Sequence, residues 1–227
     1  MNRQGIVLAA LLLGAVPAVC FAAPAEPGAY VSGFIGATIP RDSDASSTDF
    51  VTGLNFDDRV EFDPGIYIGG TGGYDFGFLR LEGEMSYRHT ELKAVRDRIS
   101  GVNYRSVDGS LDIFSMMANA YIDLHNATPV TPYLGGGIGF AAMNLSDTSG
   151  INTVSGVRTN LYGDGDDTEF AYQAGGGFEI ALNRHSSLDV GYRYFRTNRA
   201  NFESDRGIDT SLRFESHNAT IGFRYRF

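Results

Sequence analysis

The chain has 227 residues, with 18 Lys plus Arg against 27 Asp plus Glu, a formal net charge of −9 and a pI near 4.8. That acidity argues against a nucleic-acid partner, which a basic face would have to attract. Glycine (29), Phe (16) and Tyr (12) are abundant, yet mean hydropathy is only −0.13 and no stretch reaches the roughly 20 apolar residues of a membrane-crossing helix. If this chain crosses a membrane, it does so as a closed β-barrel, the other architecture that satisfies every backbone hydrogen bond in lipid.

The first segment carries Arg3, then an apolar run over residues 5–19, then small residues. That order predicts a secretory signal peptide over residues 1–25, with cleavage after Ala22 or Ala25, of which Ala25 is preferred. Cys20, the one cysteine, lies inside it. Val19 and Pro17 stand where a lipoprotein signal would place a small residue and a leucine, so lipidation is not expected. The remaining residues 26–227 are expected to be one cysteine-free domain without disulfide or thiol chemistry.

Period-two alternation then recurs along the chain. Residues 29–40 set Val31, Ile35 and Ile39 against Tyr30, Ser32, Phe34 and Thr38. Residues 63–75 set Ile66, Ile68 and Tyr74 against Tyr67, Thr71 and Asp75. Residues 78–89 set Leu79, Leu81, Met85 and Tyr87 against Arg80, Glu82, Glu84, Ser86 and Arg88. A fourth segment sets Phe114, Met116 and Ile122 against Ser115, Met117, Asn119, Tyr121 and Asp123. The fifth, 132–144, carries Leu134, Ile138 and Phe140 on one face. The sixth, 169–182, carries Phe170, Tyr172, Phe178 and Ile180. The seventh presents Leu188, Val190, Tyr192 and Tyr194, and the eighth, 218–227, presents Ile221, Phe223, Tyr225 and Phe227.

Two regularities define the class. The connections alternate long and short: long polar segments over 41–62, 90–108, 145–168 and 196–213, short links at 75–77, 125–131 and 183–185. Mobile external loops and tight periplasmic turns give that rhythm in an up-and-down barrel. One face of every strand is also free of charge, as lipid requires, because an ion facing lipid at the midplane costs about 2–4 kcal/mol. The sequence therefore predicts an all-β fold: an eight-stranded antiparallel up-and-down transmembrane β-barrel with four long external loops.

A barrel of eight strands is just wide enough to be filled by its side chains, and the filling is expected to be polar. Arg80, Glu82, Glu84 and Arg88 on the third strand would meet Glu179, Asp189, Arg193 and Arg224 in a lumen charge network that plugs the barrel. Arginine suits such a network because its planar fork pairs carboxylates in two-pronged fashion; the chain has seventeen arginines and one lysine, Lys93.

The segments Pro132-Tyr133-Leu134-Gly135-Gly136-Gly137-Ile138-Gly139, Phe170-Ala171-Tyr172-Gln173-Ala174-Gly175-Gly176-Gly177 and Asp189-Val190-Gly191-Tyr192-Arg193-Tyr194-Phe195 resemble the opacity-protein and surface-antigen families of small outer-membrane barrels, close in architecture to the OmpA/OmpX type. The alternating aromatics Phe223, Tyr225 and Phe227 resemble the C-terminal strand that the outer-membrane assembly machinery reads. The resemblance implies the outer membrane of a Gram-negative bacterium, export through the Sec pathway, and lipid and lipopolysaccharide as neighbours. Members of such families include adhesins, immune-evasion antigens and proteins called porins.

Other motifs have plainer readings. The glycine runs lack the strand-to-helix context and the Lys-Ser/Thr of a phosphate loop, and close strand packing explains them. His89, His125, His185 and His217 show no ligand spacing, so neither metal nor cofactor is expected. Glu215, Ser216 and His217 are the one candidate for hydrolase chemistry, but neighbours on a strand face opposite ways. Asp164, Asp166, Asp167 and Glu169 would suit calcium, although a solvated acidic loop explains them as well. Lys93, Arg96, Arg98 and Arg105 form a candidate anion-contacting loop for lipopolysaccharide phosphates or an acidic host polymer. The expected function is non-enzymatic: an envelope-structural or surface-recognition role through the external loops, with an unidentified surface or host ligand. The alternative is a small porin-like channel through the lumen.

Overall fold

A computed structural model describes residues 27–49, 54–98, 101–126, 128–202 and 208–227; the expected signal peptide lies outside them. The strands are β1 (Gly28–Pro40), β2 (Ser43–Asp49), β3 (Leu54–Phe62), β4 (Gly65–Asp75), β5 (Leu79–Asp97), β6 (Asn103–Asp108), β7 (Ser110–Asp123), β8 (Val130–Leu145), β9 (Thr148–Asn152), β10 (Arg158–Tyr162), β11 (Gly165–Ala181), β12 (Ser186–Phe202) and β13 (Ile208–Arg226).

Eight of them close into a ring of antiparallel neighbours, in the order β1, β4, β5, β7, β8, β11, β12, β13 and back to β1. At one end the strands join by short links. The first is clamped by Phe76 donating its amide to the Leu79 carbonyl at 2.8 Å and by Gly77 donating to Asp75 at 2.8 Å. Gly77 has φ +98°, a conformation that glycine adopts without a Cβ clash.

Through this half, apolar side chains point outward. Ile35, Ile138 and Ile221 are 58, 59 and 55 % exposed, while Arg80, Glu84, Asn119 and Arg224 are buried inside. That is the reverse of a water-soluble sheet and the arrangement lipid selects. The inward glycines make room for large neighbours. A Cβ on Gly177 would stand 2.7 Å from the Tyr133 hydroxyl, and one on Gly69 would stand 2.5 Å from the Phe34 ring.

At the other end the described parts of the long segments, expected as mobile loops, form mostly regular sheet. β5, β12 and β13 each run well past the expected boundary, and β2, β3, β6, β9 and β10 occupy what was expected to be loop. The β2–β3 hairpin takes over the wall above β1 and β4, pairing with the upper part of β13 on one side and of β5 on the other. We call this extension the collar. Alternation continues there with the opposite chemistry: Leu92 and Val95 point in, while Glu91, Lys93 and Arg96 point out. Outside lipid the surroundings are water, so apolar residues withdraw from the surface. The resulting core includes Val60, Phe62, Leu92, Leu111, Ile113, Met143, Leu145, Phe195, Phe202, Leu212 and Phe214. The expectation of a polar filling therefore holds for the lower interior only; the upper interior is apolar.

Candidate functional site

In the lower interior, six buried carboxylates (Asp75, Glu82, Glu84, Asp123, Glu179 and Asp189) share the space with five buried guanidiniums (Arg80, Arg88, Arg193, Arg224 and Arg226) among the described residues. Nearest the short turns, Glu179 is the hub. It pairs with Arg224, with Arg80 at 3.2 Å and with Arg226 at 3.4 Å, and accepts a hydrogen bond from Ser187 at 2.7 Å. Arg226 also reaches Asp75 at 2.9 Å, Arg80 reaches Asp123 at 3.4 Å, and Arg224 reaches Asp189 at 3.5 Å.

A second layer sits farther up. Glu84 pairs with Arg193 at 2.9 Å and accepts from Tyr67 (2.7 Å), Gln173 (2.9 Å), Asn119 (3.0 Å) and Ser86 (3.0 Å). Glu82 accepts from Tyr30 at 2.6 Å and Asn119 at 3.4 Å, and Tyr133 donates to Asp189 at 2.8 Å. Removing one partner of such a buried pair costs about 3–5 kcal/mol, because the other charge is left unpaired out of water.

Arg88, expected in the charge network, has no ion pair among the described residues. Its guanidinium lies 4.1 Å from the Tyr67 ring centre and 3.9 Å from that of Phe195, and it donates to Ser115 at 2.8 Å. It stands where the polar interior gives way to the apolar core, two inward positions above Glu84 on β5. Aromatic faces replace the missing acid there; a desolvated cation–π contact is worth about 2 kcal/mol.

Tyr30, Tyr67 and Asn119 stand on inner faces in the sequence, but neither they nor Tyr133 and Gln173 had a role there. All five are buried and donate to the network's carboxylates. The signal was a hydrogen-bonding side chain on the charged face of a strand, where a buried hydroxyl or amide requires a partner.

The remaining predicted residues are dispersed. Phe223, Tyr225 and Phe227 all face outward; Phe227 donates its amide to the Ala29 carbonyl at 3.0 Å. Lys93 pairs with Asp63 at 3.2 Å, Arg98 pairs with Asp44 at 3.2 Å, and Arg96 donates to Asn103 at 2.7 Å; Arg105 is exposed on β6. Two of these four cations are thus already matched by acids. Ser216 is buried, with its hydroxyl 3.3 Å from Asn218, whereas His217 faces outward, 2.6 Å from the Tyr192 hydroxyl. Asp167 ties β11 to β12, accepting the Asn201 amide at 2.7 Å.

In the collar, Tyr162 donates to Asp58 at 2.8 Å. Burial pushes the Asp58 carboxyl up; the Tyr162 bond opposes that shift, and the charges of Asp97 and Asp57 add to it. Burial also holds the Tyr162 phenol well above its ordinary range, so it remains a donor.

The sequence model of the family described as "Outer membrane protein beta-barrel domain" matches residues 6–227. Outer membrane protein PagN of Salmonella typhimurium is 27 % identical over 232 residues, spanning 90 % of this chain and 92 % of PagN. The crystal structure of OprG from Pseudomonas aeruginosa aligns with a TM-score of 0.55 at 14 % identity, covering 89 % of this chain and 97 % of OprG. Neisserial surface protein A aligns at 0.51 and 18 % identity, covering 88 % of this chain and 97 % of its own. At these identities the two structures establish a shared fold.

Proposed function

The chain belongs to the outer-membrane protein β-barrel family of Gram-negative bacteria, and from that premise we propose a non-enzymatic surface protein that works through its collar and hairpin tips. The barrel anchors, and the collar presents. The observation that carries this reading is an interior occupied at both levels, by paired charges below and by apolar side chains above. Such a filling favours an anchor over the alternative, a small pore. At the far end of the molecule, Val154 and Val157 in the β9–β10 turn are 81 and 59 % exposed, and apolar side chains held out in water suit contact with a partner surface. The ligand is an unidentified host or envelope component. The cations Lys93, Arg96, Arg98 and Arg105, on or beside β5 and β6, are secondary contacts for an acidic one. Phe223, Tyr225 and Phe227 serve the assembly machinery.

Planar-bilayer recording tests this reading. Wild-type protein should give no steady conductance. Steady channels that disappear when Arg193 or Glu84 is altered would establish the pore instead.

A further inference from the structure

Four arginines gather on the outer wall at the base of the collar. A groove of about 380 Å³ opens there, lined by Arg41, Arg196, Arg199, Arg213, Tyr194 and Glu215 among others. Strand register fixes its height. Going up β12 and β13, Tyr192 stands opposite Ala219, Tyr194 opposite His217, Arg196 opposite Glu215 and Arg199 opposite Arg213. Outward-facing Tyr and His give way to charge within two residues, the sequence of side chains that marks the border between hydrocarbon and headgroups. The groove therefore faces the headgroups of the outer leaflet.

Its charge is unevenly matched. Glu215 serves Arg196 at 3.1 Å and Arg41 at 3.5 Å, and accepts from Tyr194 at 3.0 Å. The other two acids at the groove are taken by cations outside it: Asp42 by Arg59 at 3.1 Å and Asp44 by Arg98 at 3.2 Å. Arg199 and Arg213 have no ion pair among the described residues, and the Arg213 Nε is buried without a hydrogen-bond partner. Two like charges directly across an antiparallel pair destabilise it. A bound anion removes that penalty.

A second groove lies below the first, on the lipid-facing side of β1, β12 and β13, and shares β12 and β13 with it. It holds about 370 Å³ and is lined by Gly33, Ile35, Leu188, Ile221 and Phe223. Gly33 leaves the wall open, since a Cβ there would meet nothing within 4 Å. Ile221 lies six residues from Glu215, about 20 Å along β13. A cationic groove above and a shallow apolar depression below, about 20 Å apart along the wall, suit an amphiphile with an anionic head.

We propose that the two grooves hold one phosphorylated glycolipid of the outer leaflet, with a phosphate across Arg196, Arg199 and Arg213 and one acyl chain along Ile35, Leu188 and Ile221. The site goes beyond the recognition role of the hairpin tips, and its failure would leave that role standing.

The test uses the membrane-inserted protein in phosphatidylcholine vesicles, titrated with fluorescent bisphosphorylated lipid A, with dephosphorylated lipid A and with inorganic phosphate as competitor. Saturable binding of the bisphosphorylated form is expected, weakened about tenfold or more by removing the phosphates or by Arg199→Gln with Arg213→Gln, since each lost charge-assisted contact is worth about one order of magnitude. Arg184→Gln, in the periplasmic turn, should bind as wild type. Equal binding by the double variant or by the dephosphorylated lipid overturns the proposal, and displacement by millimolar inorganic phosphate reduces the site to a free-anion site and overturns it too. Should the double variant fail to insert, phenylglyoxal labelling of wild type decides: lipid A should shield Arg199 and Arg213, and unchanged labelling refutes the site.

Discussion

The lower barrel and the collar are one continuous sheet with two opposite insides. Along β5 the inward positions read Arg80, Glu82, Glu84, Ser86 and Arg88, then Thr90, Leu92 and Val95; along β13, read downward, they pass from Leu212 and Phe214 to Ser216, Asn218, Arg224 and Arg226. The backbone rule is the same in both halves, and the solvent differs. Where lipid surrounds the wall, apolar groups gain nothing by turning inward, and the polar ones are driven there to find partners. Where water surrounds it, each inward Phe or Leu gains about 1.5–3 kcal/mol by burial. A β-strand thus records its surroundings in the phase of its alternation, and the phase reverses close to Arg88.

Three experiments sharpen this contrast. The largest effect is expected from Glu84→Gln, which leaves Arg193 buried without its anion. Unfolding in urea from vesicles, followed by heat-modifiable migration, should show a loss of about 3–5 kcal/mol, most of it recovered when Arg193→Leu is added. A Glu84→Gln barrel as stable as wild type would mean the lower interior is wetter than described.

Phe214→Ala should cost the collar a comparable about 3–5 kcal/mol, but locally. Phe214 packs edge-on against Phe62, with ring centres 6.2 Å apart, and lies 6.4 Å from Phe195. Protease cleavage within β2 and β3 should accelerate while the boiled and unboiled barrel forms keep their migration. Simultaneous loss of both would show that the two halves fold as one unit.

The smallest effect is a pH response confined to the collar. The Asp58 carboxyl is raised in the folded state, so its contribution to stability is fully present below the unfolded aspartate value, about 3.9, and is lost as pH rises through the folded value. Amide exchange in β3 and β10, corrected for intrinsic rate, should be slower at pH 4.5 than at pH 7.5. Asp58→Asn should remove the difference and slow exchange at pH 7.5; a pH response unchanged in that variant would assign it elsewhere.

The barrel was legible because lipid imposes a one-sided rule: eight charge-free faces with alternating long and short links leave few other architectures. The same rule located Arg80, Glu82, Glu84, Glu179, Asp189, Arg193 and Arg224 inside. It was silent about the collar, since alternation does not state which face meets water. In the segments over 41–62 and 90–108 the acids and arginines masked sparse inward residues such as Val60, Leu92 and Val95. Register shifts at Glu61/Phe62 and Arg196/Arg199 also break the period. The aromatic support of Arg88 was illegible for another reason. Tyr67 stands directly across from Arg88 on the neighbouring strand, but Phe195 belongs to β12, and only closure of the ring brings it to the same guanidinium.

The β2–β3 hairpin, docked between β13 and β5, has a further consequence. Its inward Ala45, Val60 and Phe62 are locked into a greasy interior shared with six ring strands, whereas the β9–β10 turn holds Val154 and Val157 out in water and adds nothing to that core. Changes to that turn, in sequence and in length, should therefore leave the anchored wall undisturbed. The layout is that of a fixed mast with an exchangeable flag.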